Sequence, residues 1–189
     1  MAPTLAEMAP WSPKIVKQFS TVPPNAREND FYTPYNKLLY TLFPADSDYT
    51  VAPQSYSVMD SHNVMNFIIE FEVLLEDKPV FFLEIKEPRK IALKSAREEA
   101  DSQMRKRMGD LAPACPLDIL NGVSAFGTLL SFYSYDKQTR ILPGRVSPHP
   151  YMETDSAPLN CWDCDILEDE GAQRFQDLVA EIKRKCDQI

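Results

Sequence analysis

Apolar positions along the chain recur in two periods, and the alternation between them marks out its elements. "YNKLLYTLF" spaces Leu38, Leu39 and Leu42 along one helix face. A helix is expected there, and a shorter one at "PKIVKQF". Ser12-Pro13 and Thr33-Pro34 each read as an N-cap followed by proline at the first helical position, where a missing N–H does no harm. "DYTVAPQSYSV", "VMNFIIEFEVLL" and "PVFFLEI" are β-branched and aromatic enough to be strands, and the polar break "EDK" makes residues 64–86 a hairpin. From Ile91 to Leu111 the period lengthens again. Leu93, Ala96, Ala100, Met104, Met108 and Leu111 form one stripe of a helix that Pro113 and Pro116 terminate. "GTLLSFYSY" predicts another strand, residues 137–160 a loop with a short hairpin at "RILPGRV", and "DEGAQRFQDLVAEIKRKCDQI" a last helix facing inward through Phe175, Leu178, Val179 and Ile182. The order is that of a single α/β domain. Residues 1–24 form a Pro-rich flank with a short helix, 25–136 the core, 137–168 a loop-rich segment, and 169–189 a helix packed on the core.

Composition narrows the class. A chain of 189 residues, 44% apolar and 25% charged, is long enough for one proper core. Sixteen prolines against five glycines point to extended flanks around a regular centre. "MAPTLAEMAP" has neither the basic nor the apolar region of a secretory signal, and no run approaches the ~18 apolar residues of a membrane span. The four cysteines then read as free thiols of a reducing compartment, cytoplasmic or nuclear, with no membrane partner. The net charge of −8 argues against a constitutive grip on nucleic acid. Its distribution is uneven. Arg89, Lys90, Lys94, Arg97, Arg105, Lys106 and Arg107 face only Glu98, Glu99 and Asp101, a local net of +4. Such a stretch is either a solvated helix face laced with pairs such as Arg97–Asp101–Arg105, or a surface for a phosphate backbone.

The question of chemistry centres on "FFLEIK". Strand alternation puts Glu84 and Lys86 on the face of Phe82, and Phe81, Leu83 and Ile85 on the other. On the preceding strand Asn66, Ile68, Glu70 and Glu72 share a face. A three-residue turn at 76–78 sets Glu70 opposite Glu84, with Asn66 near the Lys86–Pro88 end. Carboxylates gathered this way repel unless a cation screens them, and a hard divalent ion such as Mg²⁺ takes oxygen-rich sites.

Three other motifs point to packing. Cys161 and Cys164 in "CWDC" have the spacing of a redox or half-zinc pair, but no second pair exists among Cys115, Cys186, His62 and His149. Trp162, Ile166 and Leu167 are expected to pin the last helix to the body. "GVSAFG" is one residue too long for a nucleophile elbow around Ser124 and reads as a tight turn into a buried strand. Phe31, Tyr32 and Tyr35 in "FYTPY" are expected to pack a helix on the sheet rather than stack bases.

A hairpin ending in Glu-x-Lys, followed by a helix and another strand, resembles the core of the PD-(D/E)xK, or restriction-endonuclease-like, superfamily. The wider pattern "FYTPYNKLLYTLFP … FFLEIK … EEADSQMRKRM … GVSAFGTLLSFY" also resembles a group of fungal proteins of this kind. The resemblance spans roughly residues 28–135 and implies a central mixed sheet flanked by helices. It implies a Mg²⁺- or Mn²⁺-dependent nuclease in which Glu84 and Lys86 are catalytic, Gln103 assists from the helix, and Glu28 is a candidate first-helix glutamate. Metal ligands would come from Glu84, Glu70, Asp60 and Asn66. The family's second-strand acid falls by spacing on Asn66, which brings no charge, so Asp60 or Glu70 would have to supply it. Arg89, Lys90, Lys94, Arg97, Arg105 and Arg107 would hold a nucleic-acid backbone, and a dimer would let both strands be cut. Without a second acid, the same fold would serve as a non-catalytic binding or scaffold protein with a protein partner.

Overall fold

A computed structural model describes residues 10–59, 65–147 and 149–189, and it has a mixed sheet between two layers of helices. In chain order the elements are α1 (Pro13–Ser20), α2 (Tyr32–Leu42), β1 (Tyr49–Met59), β2 (Met65–Leu75), β3 (Lys78–Lys86), α3 (Lys94–Leu111), β4 (Ile119–Phe126), β5 (Leu129–Asp136), β6 (Ile141–Leu142), β7 (Cys164–Asp165) and α4 (Asp169–Cys186). Among the described residues the sheet has seven strands in the order β1-β2-β3-β4-β5-β6, with β7 also on β5. β3 and β4 are parallel, joined through α3 as a crossover, and every other pair is antiparallel. Among the described residues no helix is long and apolar enough to cross a membrane.

The two faces of β3 follow its alternation. Phe81 packs against Phe43 at the end of α2 and edge-on against Phe175 of α4, while Phe82 lies over Gly122 of β4 on the α3 side. Both phenylalanines are fully buried. Burial of such a ring contributes about 1.5–3 kcal/mol, so this doubly covered strand anchors the domain. Residues 10–11 and the end of α2 meet the C-terminal segment on the α2/α4 face. The Trp11 indole donates to the Ile166 carbonyl at 2.6 Å, Gln176 donates to Pro10, and Lys183 donates to the Leu42 carbonyl.

The β2–β3 hairpin closes through two residues, Glu76 and Asp77, both at positive φ (48° and 62°), rather than the three expected. Such a turn suits the right-handed strand twist. It alone would misalign the acids by one residue. An irregularity between Val73 and Leu74 changes the register, so that Leu74 pairs with Pro79 while Val73 pairs with Phe81 and Glu70 pairs with Glu84. The expected Glu70–Glu84 pairing is therefore reached by a shorter turn and a bulge.

Other boundaries depart from the pattern for local reasons. α2 begins at Tyr32, because a 3-10 turn at Glu28–Phe31 feeds directly into it; Pro34 then sits within the first turn, where no intrahelical N–H is needed. Ser12 precedes α1 as expected, but its side chain makes no capping bond. α3 starts at Lys94 after a 3-10 turn at Pro88–Ala92, which leaves Leu93 in extended backbone and 57% exposed rather than on the buried stripe. Ala100, Met104, Met108 and Leu111 are buried as the period predicted. Ile141–Leu142 pairs back onto β5 instead of forming its own hairpin. Cys164–Asp165, expected as loop, is a second short strand on the same β5 edge.

Candidate functional site

Glu84 and Lys86 leave the sheet on the α3 side, where Phe82 is already covered. Ser124, the parallel partner of Glu84 on β4, accepts a 3.3 Å hydrogen bond from the Trp162 indole. Glu84 is 1% exposed. Its carboxylate forms an ion pair with Lys86, yet neither of its oxygens has a hydrogen-bond donor among the described residues. The Lys86 ammonium is aligned elsewhere, donating to Gln103 Oε1. Gln103 in turn donates through Nε2 to Glu99 Oε1 at 3.0 Å. Residues 99, 103 and 107 lie one turn apart on α3, so a single helical stripe faces the acids of the sheet.

The third residue of that stripe is Arg107. Its Nε donates to Glu70 Oε1 at 2.7 Å, and its other branch pairs with Glu72. Glu70 is 0% exposed and Glu72 is buried, whereas the Arg107 side chain keeps 22% of its surface in solvent. Glu70 stands directly opposite Glu84 on adjacent antiparallel strands, which puts their Cα atoms about 5 Å apart. Three carboxylates and two cations thus share one half-buried layer under α3.

The other expected residues are distributed as follows. Asp60 lies outside the described residues, as does the Asn66 side chain; the backbone of Asn66 pairs with Val58 on β1. Glu28 opens the 3-10 turn before α2 and is half-buried. Arg89 and Lys90 stand exposed on the turn just after Lys86, the latter 3.9 Å from Glu87. Lys94 donates to Glu153 at 2.8 Å. The remaining arginines are tied within the chain. Arg97 is buried, bonding the Ala157 and Ile91 carbonyls at 2.9 Å each and pairing with Asp155. Arg105 forks onto Asp101 at 2.8 and 3.0 Å and reaches the Pro143 carbonyl. Of the expected helix-face pairs, Asp101–Arg105 forms, while Arg97 turns to the 155–157 segment instead. Sequence reasoning placed Arg107 on a substrate surface and missed its role as counter-ion to Glu70 and Glu72. The four-residue step from Gln103 to Arg107 was the available signal. Among the described residues no group of three or more His, Cys, Asp and Glu side chains is arranged around one metal position.

The remaining motifs serve packing. Cys161 and Cys164 are free thiols; burial pushes both pKa values up, that of Cys164 to about 11, so they are protonated at neutral pH. Trp162 packs edge-on against Phe126 with centroids 5.0 Å apart. Gly127 sits at φ 63° in the β4–β5 turn, where an added Cβ would meet Pro88 at 2.8 Å. Its N–H donates to the Lys86 carbonyl at 3.1 Å, and its own carbonyl accepts from Tyr35 Oη at 2.7 Å. Tyr35 is fully buried, and Tyr32 packs on Phe71. Compared with known proteins, the chain matches no family model, no curated protein and no solved structure.

Proposed function

We propose that this chain is a metal-dependent phosphodiester hydrolase of restriction-endonuclease-like fold, acting on nucleic acid, with Glu84, Lys86 and Gln103 at its centre. One observation carries the reading: a buried carboxylate, Glu84, without a hydrogen-bond donor, at the end of a central strand beside a lysine. Burying an ion without hydrogen bonds costs several kcal/mol, and a divalent cation would relieve that cost. Glu84 therefore fits a hard cation, with Glu70, its opposite number, as the nearest described second ligand. The element order supports the fold assignment, since the hairpin bearing Glu-x-Lys leads through α3 into the parallel strand β4.

A bound Mg²⁺ or Mn²⁺ would supply a Lewis acid at the phosphoryl oxygen and a more acidic attacking water. The chain's own residues do the rest. Lys86 places positive charge beside the reacting phosphate, where charge develops in the transition state. Gln103, anchored by Glu99, holds the Lys86 ammonium in position through its carbonyl oxygen. Arg89 and Lys90, exposed just beyond the strand, are placed to bind the flanking phosphates.

The test is incubation of the full chain with labelled single- and double-stranded DNA and RNA in Mg²⁺ or Mn²⁺, beside Glu84→Gln and Lys86→Ala. Cleavage by the wild type that both substitutions abolish is the expected result. No cleavage by clean wild-type protein refutes the proposal. The Arg107 clasp on Glu70 and Glu72 favours a second reading, a non-catalytic binding module with a protein partner. That reading expects no cleavage and no metal-dependent rise in melting temperature.

A further inference from the structure

The acids on the α3 side of the sheet already have a cation of their own. The Arg107 guanidinium forks across two carboxylates, Nε on Glu70 and the terminal nitrogen on Glu72. It thereby engages the acid that faces Glu84 across the strand pair. A divalent ion shared by Glu84 and Glu70 would need ligand bonds of about 2.0–2.6 Å to both carboxylates, and the Glu70 oxygen nearest Arg107 is held at 2.7 Å by the guanidinium. Arg107 reaches this position from α3 with part of its side chain in solvent, so it can withdraw without unfolding the helix. Glu84, by contrast, is 1% exposed.

We propose that Arg107 is a resident counter-ion that competes with a divalent cation for Glu70 and so sets the metal affinity of the site. The inference rests on the Glu84-centred metal reading above. With Arg107 in place, a divalent ion finds only the Glu84 carboxylate, itself paired with Lys86. Once Arg107 swings out, Glu70 joins it, and the pair binds far more tightly. Activity is then tuned by whatever draws the guanidinium away. The phosphate backbone of a bound substrate is one such competitor, because guanidinium binds phosphate in the same forked way as carboxylate.

The test is titration of Mn²⁺ into the full chain, read as heat and as loss of the free-ion paramagnetic signal, with no substrate present. Arg107→Gln is expected to bind Mn²⁺ at least tenfold more tightly than the wild type, and adding Glu84→Gln is expected to abolish the gain. Because Arg107→Gln takes the guanidinium away from the buried Glu70, Arg107→Lys is measured beside it. Lysine keeps the charge but cannot span both acids, so about a threefold gain is expected. Affinity unchanged in both variants overturns the proposal, as does a gain that survives Glu84→Gln. Cleavage by the wild type with unchanged Mn²⁺ affinity in the variants sinks this inference alone. Tighter Mn²⁺ binding by the variants with no cleavage by the wild type leaves it standing and sinks the hydrolase reading.

Discussion

Replacing Glu84 by glutamine should make the protein more stable, and the structure gives the size of the effect. The substitution keeps the shape of a side chain that is 1% exposed and removes its charge. What is lost is attraction to Lys86, about 4 kcal/mol for a contact pair at an effective dielectric of about 20. Two effects act the other way, and together they are larger. Desolvating a carboxylate that has no hydrogen-bond donor costs several kcal/mol. Repulsion from Glu70, which stands opposite Glu84 on β2, adds roughly 1–2 kcal/mol once the Arg107 guanidinium beside Glu70 is allowed for. Lys86 loses little, since it retains Gln103 and some contact with water. The balance favours glutamine by about 1–2 kcal/mol, a rise in melting temperature of about 2–8 °C for a chain of this size. Thermal denaturation followed by circular dichroism in metal-free buffer checks it. A site held for chemistry at the expense of stability behaves this way. A fall in melting temperature would refute the reasoning and make Glu84–Lys86 an ordinary stabilising pair.

Three further outcomes follow from contacts described above. Arg97→Ala should destabilise by about 2–4 kcal/mol, because it removes a side-chain donor to the Ala157 and Ile91 carbonyls and the ion-pair partner of Asp155; urea denaturation measures the loss, and limited proteolysis should show the 155–157 segment loosened. Gly122→Ala should cost about 1–3 kcal/mol, since the added carbon would meet the Phe82 ring at 2.6 Å and Met104 at 3.0 Å; thermal denaturation reads it. Burial raises the Cys164 thiol from 9.0 to about 11, so above pH 9 the unfolded chain gives up this proton first and the folded state is disfavoured. Stability due to Cys164 is therefore complete below pH 9 and lost as pH rises toward 11. The wild-type melting temperature should fall more steeply over that range than that of Cys164→Ala.

The strands and long helices were legible because their apolar positions obey one period at a time. β3 is the clearest case: alternation alone assigned Phe82, Glu84 and Lys86 to one face and Phe81 to the other, as the contacts with Gly122 and Phe175 bear out. Gln103 was singled out only by the restriction-endonuclease resemblance, and in the fold it lies against Lys86. What sequence could not give was anything decided by partners distant in the chain. Arg97, Arg105 and Arg107 look alike on a helix wheel. Only tertiary packing sends the first to Asp155, 58 residues away, and the last to Glu70, 37 residues away. The two-residue strands β6 and β7 carry too few residues for any period and exist because the β5 edge offers them hydrogen bonds. Leu93 fitted the helical stripe but fell one residue before the helix began.

The ties between residues 10–42 and residues 166–183 bear on how the protein is made. Trp11 with Ile166, Pro10 with Gln176, and Leu42 with Lys183 join positions 155, 166 and 141 residues apart. The Phe81 face of the sheet is closed by Phe175 from α4. On the ribosome, β1 to β3 emerge early and can form their local hairpins within microseconds. The part of their apolar face that α4 covers nonetheless stays open until residue 175 and its neighbours have left the exit tunnel. At about 5–20 residues per second, that interval lasts several seconds. Throughout that interval the rings that Phe175 and its neighbours cover stay open to solvent, so this layer of the core closes only once α4 has emerged.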